Sequence, residues 1–390
     1  MKTYTANLMT QLPHSIFGEL KEATMKSKKE LIDLSLGSPD LPPDERIRQR
    51  LAELTLKPAS YGYTLTGTSR FNEAVAAYYH TRYNVDILPE TEVLQTMGSQ
   101  EGLVHLPLAF CNEGDVILTT NPGYVAYEAG IRVAKATPYY MPLLKEHHYL
   151  PNLDAIPKDI ALKAKLLILN FPGNPVPAMP SVAFFEKVIA FAKKYDIIVL
   201  HDAAYSEFYF EGDRPFSFLQ INGAKDVGLE INSLSKSFSL AGARIAYFLG
   251  NAQLIQTLQS LKSHLDYGIF EPIQEAAIVA FEHAEEITNR LRKTFKSRHT
   301  LLSTGLERLG WEVAPSAGGM FLYAKYPQQH WDDRTFVFEL IEHAGIVLVP
   351  GSAFGTEGKQ HVRIALVQDE QTLQRALSRI HLWQQQKVSH

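Results

Sequence analysis

Asn232-Ser233-Leu234-Ser235-Lys236-Ser237-Phe238-Ser239-Leu240-Ala241-Gly242-Ala243-Arg244 is the stretch that decides how this chain is read. Residues 227–231 before it are short and mostly apolar, as a buried strand requires. After them comes one lysine among small hydroxyl side chains, then a glycine and an arginine. A lysine held among hydroxyls at a strand end suits two tasks. It can bind a phosphate as a point charge, or it can form a Schiff base with a carbonyl cofactor. Ser233, Ser235 and Arg244 supply the donors that a bound phosphate needs. The plain alternative is a solvated loop lysine, and the rest of the chain has to decide between them.

Outward from this run, short apolar segments alternate with amphipathic ones. Residues 92–97, 115–120, 137–143, 165–169 and 197–200 read as strands. Residues 99–110, 127–135 and 182–195 read as helices, the last with Val182, Phe185, Ile189 and Ala192 at helical spacing. Such alternation predicts a parallel sheet covered on both faces. The pattern changes after about residue 271. A long charged helix (284–309) leads to a strand-like stretch (311–326) containing Gly318-Gly319, a helix (334–344), two short strands and a C-terminal helix from about 370. That is a smaller α+β unit.

In an open α/β sheet, ligands collect at the carboxyl ends of the strands. Ser99 and Gln100 follow one strand and open a helix, where free N–H groups and the dipole attract phosphate; Ser99 as a simple N-cap is the alternative. Asp202 follows the apolar run 197–200, and a carboxylate at a buried strand end needs a cationic partner or a capping role. His201 beside it finds no second metal ligand at helical or strand spacing. Arg363 lies in a strand of alternating character. It is either a surface arginine or a bidentate carboxylate anchor.

The run around Lys236 resembles the cofactor-lysine signature of class I/II aminotransferases, the pyridoxal-phosphate (PLP) enzymes of fold type I. Further stretches resemble the same family in the same order: Gly37-Ser38-Pro39-Asp40, Gly98-Ser99-Gln100-Glu101, Asn121-Pro122-Gly123-Tyr124, Asn170-Phe171-Pro172-Gly173-Asn174-Pro175, Asp202-Ala203-Ala204-Tyr205 and Val362-Arg363-Ile364-Ala365. Residues 92–122 and 223–262 resemble the branch that contains LL-diaminopimelate aminotransferases. The resemblance implies an α/β fold: a large domain (46–284) with a mostly parallel central sheet, and a discontinuous small domain (1–45 and 285–390).

The same resemblance implies the site. Lys236 forms the Schiff base and carries the proton, while Asp202 holds the pyridine nitrogen. Tyr205 and Asn174 bond the phenolic oxygen, and Tyr124 stacks on the ring. Ser99, Gln100, Ser233, Ser235 and Arg244 hold the phosphate. Gly37, Asn174 and Arg363 receive the substrate. Tyr61 and Tyr63 flank the place of a tyrosine that reaches the partner subunit's phosphate, with Tyr63 favoured by proximity, so a homodimer with shared sites is expected. The chain departs from the family where Val176-Pro177 replaces a Thr-Gly turn, where Ala243 replaces a bulky residue, and where Gln100 replaces the branch's lysine. The last change argues for a neutral, medium-to-large amino acid as donor, with 2-oxoglutarate as acceptor by family habit.

With 390 residues, 45% of them hydrophobic and 21% charged, the chain can bury a large core. A net charge of -4 gives no electrostatic case for nucleic acid or an anionic membrane. The one cysteine, Cys111, rules out an intrachain disulfide and reads as a small buried residue. No apolar run has a membrane span's length, and residues 1–11 lack a signal-peptide core; a cytoplasmic protein is expected. Neither a dinucleotide-binding G-x-G-x-x-G after a strand nor a P-loop occurs. A PLP β-lyase using the same residues, and a non-catalytic PLP-binding protein, are the remaining alternatives.

Overall fold

The connection between two strands explains the sheet. In the computed structural model, which describes residues 5–10, 16–210, 214–328 and 330–388, Gly228–Ser233 and Ala246–Gly250 are joined by residues 234–245. This connection holds only single helical turns, Leu234–Ser237 and Ala241–Ala243. It carries no crossover helix to lay the chain back across a sheet face, and the second strand returns antiparallel. Lys236 and Arg244 therefore both sit at the edge where the parallel strands end.

The central sheet has seven strands: Val93–Thr96 (β1), Val116–Asn121 (β2), Thr137–Pro142 (β3), Ala164–Asn170 (β4), Ile198–Asp202 (β5), Gly228–Ser233 (β6) and Ala246–Gly250 (β7). Their order is β1-β7-β6-β5-β4-β2-β3. β7 is antiparallel to both neighbours, and all other pairs are parallel. β1, β2, β6 and β7 are buried along their whole length because helices cover both faces. One face packs on Phe71, Tyr79, Phe185 and Tyr247, the other on Leu103, Leu106, Ile131 and Phe248. β3, at the edge, is exposed at three of its six positions and carries Pro138 and Pro142, which an interior strand does not tolerate.

The strands expected from sequence recur within a residue or two, and Ser99–Phe110 and Val182–Tyr195 are helices as read. β7 was not anticipated. Nor were the helices Glu45–Thr55, Ser69–Tyr83, Ala252–Lys262 and Glu271–Glu282.

A third core joins Leu34, Phe295, Trp311, Leu322 and Trp383. It covers a small antiparallel sheet of Glu312–Val313 (β8), Phe321–Lys325 (β9), Val349–Pro350 (β10) and His361–Ala365 (β11), in the order β10-β11-β9-β8. The strand expected over 311–326 is thus two strands. It breaks at Gly319, whose φ of +91° turns the chain so that its N–H meets Phe208 O at 2.8 Å. The helix expected over 334–344 runs as α-helix over Asp333–Glu339 and widens into a π turn over Leu340–Ala344.

The segment before the large sheet joins this unit. Ile32 and Asp33 pair in parallel with Ile346 and Val347, and Ala365 N–H donates to Leu34 O at 2.8 Å. Asp40 receives a two-pronged bond from Arg298 at 2.7 and 2.8 Å. These contacts fix Gly37, which lies between them in sequence.

Candidate active site

Strand register brings the sequence-read residues to one edge. Thr96, Ala246 and Ser233 stand side by side across β1, β7 and β6, so the chain leaves toward Gly98 and toward Lys236 at neighbouring points. Asn170, Asp202 and Ile231 form the corresponding row across β4, β5 and β6.

At the first exit, Gly98 is the N-cap of the helix Ser99–Phe110. Ser99 is its first residue, not its cap, and Gln100 beside it is exposed. Gly98 has φ +78°, and a Cβ there would lie 2.0 Å from Arg244 Nη2. The Arg244 guanidinium therefore lies against the helix N-terminus, where free N–H groups already favour an anion. Arg244 Nη1 is steadied by Ala241 O at 2.9 Å. Ser233 and Ser235 are buried, and the Ser235 N–H donates to Ser233 Oγ at 3.1 Å.

Lys236 donates from Nζ to Gly37 O. Burial, then the positive charges of Arg363 and Arg244, bring its pKa down from 10.5 to about 8. Gly37 itself is not required by crowding, since a Cβ there would meet Phe321 at 3.8 Å, an ordinary contact.

Asp202 is 4% exposed. It accepts from the Tyr127 hydroxyl at 2.8 Å and from Ala204 N–H at 3.2 Å. Burial raises its pKa against these bonds, and among the described residues no ion pair includes it. Tyr127 was not foreseen. It lies one helical turn beyond Tyr124, where an aromatic reads as an ordinary core residue; the two rings meet edge to face at 5.6 Å. Tyr124 is half-buried, and burial followed by Asp202 raises its hydroxyl pKa.

Asn170 was quoted only as part of a motif, yet it ties two loops together. Its Nδ2 donates to Asp202 O and its Oδ1 accepts from Asn174 N–H, both at 2.8 Å. The Val176-Pro177 departure is accommodated because Gly173 N–H donates to Val176 O at 3.1 Å. Tyr205 is buried, bonded to the Asn174 side chain, and its hydroxyl pKa is raised by burial.

Arg363 is 2% exposed, which removes the surface-strand alternative. Nη1 donates to Asn174 Oδ1 at 2.9 Å and Nη2 to Ser35 O, while the buried Nε has no partner. Phe321, Phe354 and Phe17 surround the guanidinium at 4.4, 5.1 and 5.9 Å from their ring centres. Burial pulls its pKa down to about 10.

Two expected residues make their contacts in the single chain with other side chains and backbone than those above. Tyr61 and Tyr63 are 64% and 83% exposed. The Tyr61 hydroxyl donates to Thr55 O at 2.8 Å, and the Tyr63 ring packs on Tyr267 at 5.2 Å. Cys111, expected to be buried, is half-buried, and burial pushes its thiol up to about 12. His201 is committed to Glu230 Oε2 and Phe171 O, each at 3.0 Å. Among the described residues, no group of three side chains suited to a metal occurs.

These residues fit PLP. An anion cradle lies at Gly98 and Arg244, a buried carboxylate at Asp202 forms no salt bridge among the described residues, and Lys236 is a lysine of lowered pKa. Arg363 keeps an unbonded donor between them and the small sheet.

Residues 29–380 match the model of the family described as aminotransferase class I and II. The LL-diaminopimelate aminotransferase of Halothermothrix orenii is 38% identical over 379 residues, 96% of this chain and 97% of that one. The Aquifex aeolicus enzyme of the same name is 39% identical over 373 residues, 95% and 96% of the two chains. Among solved structures, substrate-bound BacF from Bacillus subtilis superposes with a TM-score of 0.94 at 37% identity, covering 98% of each chain. A probable N-succinyldiaminopimelate aminotransferase from Thermus thermophilus gives 0.90 at 34%, over 95% of this chain and 100% of that one. With this match along nearly its whole length, the chain belongs to the class I and II aminotransferases and is a PLP-dependent transaminase.

Proposed function

We propose that Lys236 is both the attachment point for PLP and the proton carrier of the reaction. Its lowered pKa supports this, because a neutral amine is needed for attachment and for taking the proton from the substrate Cα. PLP, when bound, supplies the electron sink that makes this proton removable. Asp202, positioned by Tyr127, is the counter-charge for the pyridine nitrogen, and a cation there relieves the cost of its burial. Asn174 and Tyr205 would bond the phenolic oxygen, Tyr124 would cover the ring, and Ser99, Gln100, Ser233, Ser235 and Arg244 would hold the phosphate.

The observation that carries the substrate assignment is Arg363, a buried guanidinium with an unpartnered Nε and with Nη2 held by the Ser35 carbonyl. It binds the α-carboxylate of an L-amino acid or 2-oxo acid, and Gly37 lines the same place. Around it stand three phenylalanines, which supports a neutral, medium-to-large donor, with 2-oxoglutarate as acceptor. The names of the relatives favour a second reading, LL-diaminopimelate as donor. Comparison of kcat/KM for LL-diaminopimelate, aspartate, methionine, phenylalanine and alanine separates them. Preference for either of the first two by more than about tenfold, roughly 1.4 kcal/mol, contradicts the neutral-donor reading.

We further propose a cytoplasmic homodimer with shared sites. The exposed group Tyr61, Tyr63, Leu65, Leu265 and Tyr267 supports an interface at this face. Because the Tyr61 hydroxyl is already bonded, Tyr63 is the better candidate to reach the neighbour's phosphate. No helix among the described residues is long and apolar enough to cross a membrane. The shared core of Leu34, Phe295 and Leu322 supports a discontinuous small domain of 1–45 and 285–390 beside a large domain of 46–284. Residues 1–4, 11–15, 329 and 389–390 of that small domain lie outside the described residues.

A further inference from the structure

Beyond Asp202 and Tyr205, the same loop carries a second buried carboxylate that the reaction does not use. Glu207 is 0% exposed. Its Oε1 accepts from the Tyr78 hydroxyl at 2.6 Å and from Arg82 Nε at 3.1 Å. Its Oε2 accepts from Arg82 Nη2 and from Arg292 Nη1, the latter at 3.1 Å. Both guanidinium groups turn their remaining nitrogens to Glu285, Arg292 Nη2 at 2.8 Å. Glu207, Arg82, Glu285 and Arg292 thus close a ring of alternating charge. Arg82 stands on the helix Ser69–Tyr83, while Glu285 and Arg292 stand on the helix Ala284–Arg308. The ring ties the Tyr205 loop to both.

Stability is a weak reason to keep such a ring, because taking Glu207, Arg82 and Arg292 out of water offsets much of their attraction, and Glu285 stays exposed. Its geometric effect is clearer. Only Ser206 separates Tyr205 from Glu207. Ser206 N–H donates to Ala203 O at 3.0 Å, Phe208 N–H to Tyr205 O at 2.9 Å, and Asn232 Nδ2 to Ser206 Oγ at 3.2 Å. Consecutive tight turns leave few free dihedrals, so a displacement at Glu207 reaches Tyr205. We propose that Glu207 is a positioning residue for transamination: held by Arg82 and Arg292, it sets where Tyr205 presents its hydroxyl to the cofactor's phenolic oxygen. The inference rests on the assignment of Tyr205 to the cofactor made above.

The test titrates the visible absorption of the PLP-loaded enzyme against pH in Tyr205→Phe, Glu207→Gln and the double variant. The other ionisable groups that act on Lys236 (Asp202, Arg244 and Arg363) and Tyr124 beside them are unchanged in all three. Tyr205→Phe is expected to move the midpoint, and Glu207→Gln to move it the same way. The double variant should go no further than Tyr205→Phe alone, as expected for residues acting through one contact. Arg292→Lys, which keeps a charge at Glu207 but loses the fork, should give a smaller shift in the same direction. It carries the test if Glu207→Gln does not fold. If Tyr205→Phe shifts the midpoint while Glu207→Gln and Arg292→Lys only lower the melting temperature, Glu207 is structural and the inference fails. Additive shifts overturn it as well. A silent Tyr205→Phe overturns the Tyr205 assignment, and the inference with it.

Discussion

Arg363 Nη1 donates to Asn174 Oδ1 at 2.9 Å, joining the small sheet to the loop after β4 through a single side-chain bond. With Nη2 on Ser35 O, two corners of the guanidinium are spent on holding its plane, and the buried Nε is left over. A carboxylate arriving here meets a planar donor already oriented by the protein. Replacing Arg363 with lysine turns that plane into a point charge. KM for the amino donor should rise by about tenfold to a hundredfold, the size of losing one or two charge-assisted bonds, with a smaller change in kcat. Steady-state kinetics with one fixed acceptor checks this; an unchanged KM would remove Arg363 from the substrate site.

Asp202→Ala should leave PLP bound but slow turnover by about two orders of magnitude or more. Among the described residues no salt bridge includes the carboxylate, and in the proposed role its loss would let the pyridine nitrogen lose its proton. Single-turnover reaction with an amino donor, followed at the cofactor's absorption, reads the step directly. Parental activity would make Asp202 a structural residue that only anchors Tyr127 and Ala204.

The cofactor-free protein should show the lowered Lys236 pKa in two ways. The rate of PLP recombination, which needs the neutral amine, should rise with pH around a midpoint of about 8. Because the folded value lies below the ordinary 10.5, the unfolded chain binds more protons between the two. The Lys236 contribution to stability is therefore full above 10.5 and is lost as pH falls toward about 8. Recombination rates measured across about pH 7 to 10 check the first statement. A rate still climbing at the upper end would place Lys236 in an ordinary, solvated environment.

In solution the protein should sediment as a dimer. Tyr63→Ala should weaken PLP binding even though Tyr63 is exposed in the single chain. An active monomer at high dilution, or unaltered PLP affinity in the variant, would contradict shared sites.

What was legible in the sequence was local. Lys236, Arg244, Ser233 and Ser235 fall within one short run, and Asp202 and Tyr205 within another, so one strand end fixes each group. What was not legible depends on elements that meet only in the fold. β7 was missed because its antiparallel return follows a connection that holds only single helical turns, a property of residues 234–245 rather than of its own apolar residues. Tyr127 was missed because its position on the helix face reads as core. Ser35, which holds Arg363, is 328 residues away from it. Ser99 was read as opening the right helix, with a simple cap as the alternative; the cap is Gly98, where a φ of +78° and the nearby Arg244 both disfavour a side chain. Tyr61 and Tyr63 could not be told apart in the sequence because the contact proposed for them is made to a second copy of the chain.

The most direct measurement is the visible spectrum and turnover of Lys236→Ala reconstituted with PLP, beside the parent protein. The parent should be yellow and transaminate. The variant should lose the lysine-dependent absorption band and turnover together, because attachment and proton transfer rest on the same amine. A variant that keeps full turnover would contradict the assignment of Lys236 on which the account stands.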